Sequence, residues 1–428
     1  MTIETALEWI HSRLKFNIRP GLTRIEALLK LLENPEKELS MLHIAGTNGK
    51  GSTVAFTRGI LEQLGLTVAT FTSPFIETFG ERMAINGHPI PDEKLIKYVE
   101  QLKPLVEEMD KDERLAGITE FEIITALAFR YFADEHVDVA LIEVGLGGLL
   151  DSTNVIQPVA TAITTIGMDH MDILGDTLEK IAAQKAGIIK PYTPLVTGKI
   201  ADEALAVIAE TVQTNQAKHC QYGIDYQVEI LENERFNYKD DEINLLNLEK
   251  SLLGLHQIDN AALAVKLTMV YAHKVGLSLS EEAIRVGLRR TFWPARMEEV
   301  SQAPLTLLDG AHNVHAMQRL LENLKNEFSG RKITILFSAL VTKDITEMIK
   351  ILQTVDNSKL ILTTFDYPKA LKLEDFAYLE KENVTLAEDW KSTYAALKEN
   401  LHEEDVLLMT GSLYFMSQIR AYILESEQ

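Results

Sequence analysis

Short apolar runs alternate with segments of helical spacing along most of the chain. Residues 5 to 33 read as helix, with apolar positions recurring in ALEWI and IEALLKLL and a break at Pro20-Gly21. LHIAG (42–46) is strand-like, and STVAFTRGILEQLG (52–65) follows with helical spacing. TVATFTSP (67–74) is a second strand-like run. ITEFEIITALAFRYFADE (118–135) is helical, and VDVALIEVG (137–145) and VATAITTIG (159–167) are buried strands. LEKIAAQKAGII (178–189) is helical and PLVTG (194–198) strand-like. This alternation predicts crossovers and a mostly parallel sheet covered on both faces.

The pattern changes twice. Residues 224 to 250, with the shorter and more polar alternation YQVEILENERFNY, predict a small antiparallel elaboration. HQIDNAALAVKLTMVYAHKVG (256–276) is a helix. Past TFWPARM, the runs LTLLDGAHN, KITILFSAL, KLILTTF and VLLMTGSLY predict a second, smaller α/β domain. Proline restricts the residue before it, so the boundary is expected near Trp293-Pro294, giving domains 1–293 and 294–428. A chain of 428 residues fits two or three domains at about 150 residues each.

Composition narrows the function classes. Hydrophobic residues make up 46% and charged residues 25%, the balance of a globular protein with a full core. With 42 Lys and Arg against 63 Asp and Glu the net charge is -21, which argues against a nucleic-acid backbone as partner. The single cysteine, Cys220, fits a reducing compartment. The opening MTIETALEWIHSRLKF carries Glu4 and Glu8 where a signal peptide has a basic start. No window approaches roughly 18 uninterrupted apolar residues, so no membrane span is expected. A cytoplasmic enzyme is the expectation.

HIAGTNGKGST sits where a strand gives way to a helix. Gly46, Gly49 and Gly51 let backbone approach a ligand closely, and the loop N–H groups with the helix N-terminus present positive potential to phosphate. Lys50 adds a charge near the terminal phosphates, and Ser52 or Thr53 reaches a phosphate-bound Mg²⁺. The usual pattern is G-x-x-x-x-G-K-[ST]; here Gly51 separates the Lys from the Ser. A glycine-rich turn without ligand is the competing explanation.

Other candidates lie at strand ends, where ligands gather in open α/β sheets. Glu143 is an acid in an apolar run, costly unless paired or metal-bound. Asp169 and His170 follow the next strand, although Mg²⁺ prefers oxygen donors. Ser73 before Pro74 offers a hydroxyl or a simple turn. Lys185 lies in a helix and has no role readable from spacing. Asp309, His312 and Asn313 end a strand as a site or as a stabilised turn. Arg296 suits bidentate phosphate contact or a surface ion pair.

These segments together resemble the folylpolyglutamate synthase family, within the Mur-ligase-like group of ATP-dependent amide-bond ligases. The matching stretches are HIAGTNGKGS, FTSPF with ERM, ITEFE, IEVGLGG with DSTN, MDH with LGDTLEKIAAQKAGIIK, LLGLHQIDNAALA, FWPARME, LLDGAHN and TGSLY, running in order from residue 43 to 414. The resemblance implies a P-loop domain and a Rossmann-like C-terminal domain. It implies ATP held by Thr47, Asn48, Gly49, Lys50, Gly51 and Ser52, with Asn260, Arg296 and Asp309. It implies Mg²⁺ on Ser73, Glu143 and His170, and Lys185 carbamylated as a further metal ligand. Phe75, Arg82, Thr119, Glu120, Phe121, Glu122, Leu150, Asp151 and Ser152 would meet the folate, and His312 and Ser412 would line the glutamate end.

The implied reaction adds L-glutamate to the γ-carboxylate of a folate through an acyl phosphate, with dihydropteroate as a second candidate acceptor, in a monomeric enzyme closed by domain motion. Catalysis would rest on Lys50, Lys185, His170, Asp309 and His312. Many relatives read GGRLDATN where this chain reads GGLLDSTN, so Leu149 replaces an Arg. A cell-wall Mur ligase is the nearer rival, but it carries an added UDP-binding domain. A nucleotide-binding switch is the more distant one. Thr342-Lys343-Asp344 lacks the Asn and the spacer of a guanine-specifying Asn-Lys-x-Asp.

Overall fold

A computed structural model describes residues 1–13, 21–380 and 383–426. The expected helix over 5–33 falls partly outside them: Ile3–His11 and Thr23–Leu31 are helical, and residues 14–20, with Pro20, are not described. The chain forms two compact units. The first holds Met1–Ser251 and Gln257–Thr291; the second holds Leu252–His256 and Phe292–Gln428. The periodicity gives no sign that Leu252–His256 groups with the later residues.

The first unit is built on an eight-stranded sheet. Its strands are β1 (Met41–Ala45), β2 (Val68–Phe71), β3 (Met83–Ile85), β4 (His88–Pro89), β5 (Val139–Glu143), β6 (Ala160–Ile163), β7 (Leu195–Thr197) and β8 (His219–Gln221). Their order is β4-β3-β2-β5-β1-β6-β7-β8. The six strands from β2 to β8 in that order run parallel, and the β2–β3 and β3–β4 pairings are antiparallel. Central β1 is buried at every position, as are its neighbours β5 and β6. That is why these strands read as continuous apolar runs.

β9 (Tyr226–Ile230), β10 (Phe236–Asp240) and β11 (Asn244–Leu248) form a separate antiparallel sheet, as the polar alternation predicts. Its Asp240 accepts from Lys266 Nζ at 2.8 Å in the helix His256–Val275, which ties the small sheet to the unit.

The second unit has six strands: β12 (Glu298–Gln302), β13 (Leu305–Asp309), β14 (Ile333–Ser338), β15 (Ser358–Thr363), β16 (Val384–Ala387) and β17 (Val406–Gly411). Their order is β12-β13-β17-β14-β15-β16, parallel except for β12. The helices Asp92–Met109 and Asp202–Thr214 have no counterpart in the pattern read above. The first has a legible signal, with Pro91 before Asp92 and Glu93 and buried positions at 95, 98, 99, 102, 106 and 109. No helix among the described residues is long and apolar enough to cross a membrane.

A histidine lies at the centre of the first sheet. His43 of β1 is fully buried, and its Nε2 is 2.8 Å from Thr153 Oγ1. Thr153 Oγ1 donates in turn to Asp151 Oδ1 at 2.5 Å. The hydroxyl proton is committed to Asp151, so the network assigns the His43 proton to Nε2. Burial, aided by Lys190, pushes the His43 pKa from about 6.5 down to about 3. A depressed histidine pKa means that the unfolded chain takes the proton first as pH falls. Stability is therefore present above pH about 6.5 and drains by about 1.4 kcal/mol per pH unit below it. Urea unfolding of the wild type against His43→Gln should show the wild type losing about 1 kcal/mol more than the variant between pH 7 and pH 5.5. Identical pH slopes would contradict a buried neutral His43.

Candidate active site

β1 delivers the chain into a tight loop, and the helix Lys50–Glu62 begins directly after it. Gly46 (φ 152°) and Gly49 (φ 86°) both require glycine. A Cβ on Gly46 would overlap Thr164 Oγ1, and one on Gly49 would overlap Asn260 Oδ1. Asn260 is held there by its own Nδ2, which donates to Gln257 Oε1 at 2.9 Å.

Each carbonyl from Gly46 to Gly49 accepts a hydrogen bond. Gly46 O accepts from Lys50 Nζ and Lys185 Nζ, both at 3.1 Å, and Thr47 O accepts from Lys50 Nζ at 3.4 Å. Asn48 O accepts from Thr164 Oγ1 at 2.5 Å and Thr165 Oγ1 at 3.0 Å, and Gly49 O from Thr53 N at 2.9 Å. The negative ends of the loop dipoles are thus all turned to protein donors.

The amides divide. Thr47 N donates to Thr165 O at 2.8 Å, and Asn48 N to Thr165 Oγ1 at 3.0 Å. Those two N–H groups, expected to face phosphate, are engaged by the end of β6. The donors that suit an anion therefore begin at Gly49 and run into the first helical turn, whose N–H groups have no acceptor within the helix.

Lys185 is the least expected feature. Its helix packs against the Gly145–Leu150 loop, where Leu149 N donates to Gln184 O at 2.8 Å and Gly148 leaves no room for a Cβ beside Lys185 O. The side chain is 4% exposed. Burial and the neighbouring Lys50 lower its pKa to about 7, against the pull of Asp169 and Asp151. An amine in that range is substantially neutral near physiological pH and is therefore nucleophilic.

Glu143 ends β5, buried, 3.8 Å from Lys50 Nζ. His170 is exposed, in the left-handed conformation (φ 49°), with Nε2 3.9 Å from Asp169 Oδ1. Ser73 follows β2 and is half-buried. Among the described residues no three His, Cys, Asp or Glu side chains converge to hold a metal.

A second cluster gathers aromatic rings around a cation. The Arg82 guanidinium lies 5.2 Å from the Phe75 ring and 5.1 Å from the Phe79 ring. Glu120 Oε1 is 3.4 Å from Arg82 Nη1, and Glu120 Oε2 is 3.2 Å from His11 Nδ1. Phe121 packs on Phe71, 5.8 Å between centroids, beneath Gly145. Arg82 and Phe75 thus come together with Glu120, while His11 and Phe79 are members that residue type alone does not flag.

Three other expected folate contacts are engaged in local structure. Thr119 and Glu122 form the capping box of the helix Glu120–Asp134, with Thr119 Oγ1 donating to Glu122 Oε2 at 2.8 Å and Glu122 N to Thr119 Oγ1 at 3.2 Å. Glu122 is also paired with Arg24 at 3.1 Å. Asp151 is buried and accepts from Leu146 N at 2.8 Å and Thr153 N at 3.0 Å, so it shapes the glycine loop. Burial raises its pKa. Leu149 and Leu150 beside it are exposed, and Ser152 is half-buried.

In the second unit, Asp309 ends β13. Its Oδ2 accepts from Met297 N at 3.0 Å and its Oδ1 from Ala311 N at 2.9 Å. Burial raises its pKa against the pull of Arg296, whose Nη1 donates to Ala295 O at 3.0 Å. His312 Nδ1 is 2.8 Å from Gly310 O, and Asn313 Oδ1 caps the helix Val314–Glu327 through Ala316 N at 2.8 Å. Ser412 follows β17, buried, with its N–H on Ser338 O at 2.9 Å. The stabilised-turn reading of LLDGAHN is what these bonds show. Asp309 and Asn313 organise the turn, and the turn presents His312 beside it.

The chain matches the Mur ligase middle domain over residues 44–268 and the Mur ligase glutamate ligase domain over 295–413. It is 43% identical over 424 residues to the dihydrofolate synthase/folylpolyglutamate synthase of Bacillus subtilis (strain 168), covering 97% of this chain and 98% of that one. It is 36% identical to the folylpolyglutamate synthase of Lacticaseibacillus casei, covering 99% of each. A solved folylpolyglutamate synthase complex with AMPPCP and folate superposes with a TM-score of 0.87 at 36% identity, covering 99% of this chain and 100% of that one.

Asparagine at position 309 can accept only one of the two amide bonds. Asp309→Asn should therefore lose about 2 kcal/mol locally, and the amides of Met297 and Ala311 should exchange with solvent about thirtyfold faster. Unchanged exchange at both would show that the carboxylate does not hold the turn.

Proposed function

The chain belongs to the Mur ligase family and, within it, to the folylpolyglutamate synthases, and from that membership we propose a residue-level account of its chemistry. The protein is an ATP-dependent ligase that adds L-glutamate to the γ-carboxylate of a folate. A γ-carboxylate oxygen attacks the terminal phosphorus of ATP, ADP leaves, and an acyl phosphate forms. The amine of L-glutamate attacks the activated carbonyl, the C–O bond to phosphate breaks, and inorganic phosphate departs as the amide forms.

We assign the phosphates of ATP to the N–H groups from Gly49 through Ser52 and to Lys50, with Thr47 and Asn48 forming the outer side of the loop. The observation that carries this assignment is the occupied row of carbonyls from Gly46 to Gly49, which leaves the donor side of the loop for an anion. Lys50 now folds back on Gly46 O and Thr47 O; a phosphoryl group gives it a stronger acceptor. Asn260 borders the loop at Gly49. Arg296 and Asp309 are the second unit's proposed nucleotide residues, and His312 and Ser412 its proposed glutamate residues.

Mg²⁺ suits this donor set: Glu143 gives a buried carboxylate, Ser73 a hydroxyl, and the nucleotide brings phosphate oxygens. His170 is proposed as a further ligand. The ion supplies charge neutralisation of the phosphates. We propose that Lys185 carries a carbamate. Its neutral amine attacks CO₂, one proton leaves Nζ, and the side chain becomes an anionic oxygen donor that keeps one N–H at Nζ for Gly46 O. The low Lys185 pKa supports this step.

The Phe75–Phe79–Arg82 cluster, with Glu120 and Phe121, suits a planar aromatic acceptor. Leu150 and Ser152 are proposed to border it. Thr119, Glu122 and Asp151 support it through the cap and the loop that they hold. A cytoplasmic monomer is the proposed working form.

The test is ADP release from purified protein with Mg·ATP, L-glutamate and tetrahydrofolate, and separately with dihydropteroate as acceptor. The expected result is ADP release that needs both folate and glutamate, with product mass raised by one glutamyl residue. No release with any folate would contradict the function. Lys185→Ala should lower the rate about 100-fold or more, with bicarbonate unable to restore it. A fully active Lys185→Ala would refute the carbamate.

A further inference from the structure

Lys50 and Thr53 hold the Gly46, Thr47 and Gly49 carbonyls from within the loop and its helix, but the Asn48 peptide planes are held from outside. A free turn of this kind can rotate its peptide planes, and each rotation exchanges an N–H for a C=O on the ligand side. Four interactions from one short stretch of chain, the end of β6, oppose such rotation. Thr164 Oγ1 and Thr165 Oγ1 both donate to Asn48 O, at 2.5 and 3.0 Å. Thr165 Oγ1 accepts from Asn48 N at 3.0 Å, and Thr165 O accepts from Thr47 N at 2.8 Å. Two residues on, Gly167 exchanges two bonds with the Thr47 hydroxyl: Thr47 Oγ1 donates to Gly167 O at 3.1 Å and accepts from Gly167 N at 2.9 Å.

The fit is close as well as bonded. The Thr164 hydroxyl fills the space that a Cβ on Gly46 would need. Thr164 itself is fixed by its N–H on Ala45 O at 2.9 Å, which continues the β1–β6 ladder. The clamp is thus an extension of the parallel sheet, built where two neighbouring strands end side by side.

We propose that Thr164 and Thr165 are positioning residues for ATP, whose hydroxyls fix the Thr47–Asn48 and Asn48–Gly49 peptide planes so that the loop presents N–H groups to the phosphates. The proposal rests on the assignment of this loop to the ATP phosphates. Neither hydroxyl touches the nucleotide; both act through Asn48. Thr165 serves as donor and acceptor on one residue, a pair of roles that only a hydroxyl fills at that size. Valine has the same shape and neither role, whereas serine keeps both.

The experiment measures AMPPCP binding by calorimetry on the full chain for the wild type, Thr165→Val, Thr165→Ser and Lys50→Ala, with steady-state kinetics on each. Thr165→Val should weaken AMPPCP by about tenfold and raise the KM for ATP alike, with the KM values for folate and glutamate within about twofold of wild type. Thr165→Ser should recover most of the affinity. Equal affinity in Thr165→Val and wild type, with Lys50→Ala weakened, would overturn the clamp and leave the loop assignment standing. Unchanged affinity in Lys50→Ala would overturn the loop assignment and the clamp with it. A uniform rise in all three KM values would mark a structural role only and would also overturn the proposal. If Thr165→Val does not fold, Thr164→Val against Thr164→Ser decides by the same comparison.

Discussion

The side-chain nitrogens of Lys50 and Lys185 both donate to one carbonyl oxygen at Gly46, and the charges around the loop are set by that meeting. Burial and the Lys50 charge together disfavour a second charge at Lys185 and lower its pKa to about 7. The structure answers with carboxylates on neighbouring strand ends. Glu143 arrives from β5 beside Lys50, while Asp151 and Asp169 oppose the fall in the Lys185 pKa. β1 can hold this position only because it is the central strand, between β5 and β6. Its glycine is equally forced, since no side chain fits between the loop and Thr164.

The parts of this arrangement that depend on local chemistry were legible in the sequence. Buried parallel strands announced themselves as apolar runs, the polar alternation of 224–250 marked the antiparallel sheet, and Gly46, Gly49 and Lys50 marked the loop. What was not legible depends on which strands lie side by side. Thr164 and Thr165 are more than a hundred positions from Asn48 in sequence, and threonine in a strand is ordinarily just a strand former. The same distance hides the engagement of the Thr47 and Asn48 amides. Lys185 has no role readable from spacing, because its burial comes from the glycine loop at Gly147–Gly148 packed on its helix.

At the acids, residue type does not show the structural part that the fold gives them. Glu122, Asp151 and Asp309 stand in segments that look like sites, and each is buried: Glu122 accepts from Thr119 N, the Thr119 hydroxyl and Arg24, while Asp151 and Asp309 each accept more than one backbone N–H. A carboxylate with two or three amide donors is a structural anchor first. These anchors still matter to chemistry, because the cap at Thr119 sets Glu120 beside Arg82, and Asp151 sets the loop against Lys185. Buried acids thus hold the neighbouring groups of the candidate site in place.

All of this geometry serves one chemical event, the capture of a phosphoryl group by a folate carboxylate. Isotope transfer reads that event directly. Tetrahydrofolate carrying ¹⁸O in both oxygens of its γ-carboxylate would be turned over with unlabelled Mg·ATP and L-glutamate, and the released inorganic phosphate examined by mass. If an acyl phosphate forms, each phosphate carries one ¹⁸O from the carboxylate. Unlabelled phosphate at full turnover would contradict phosphoryl transfer to the folate and, with it, the central role given to the loop.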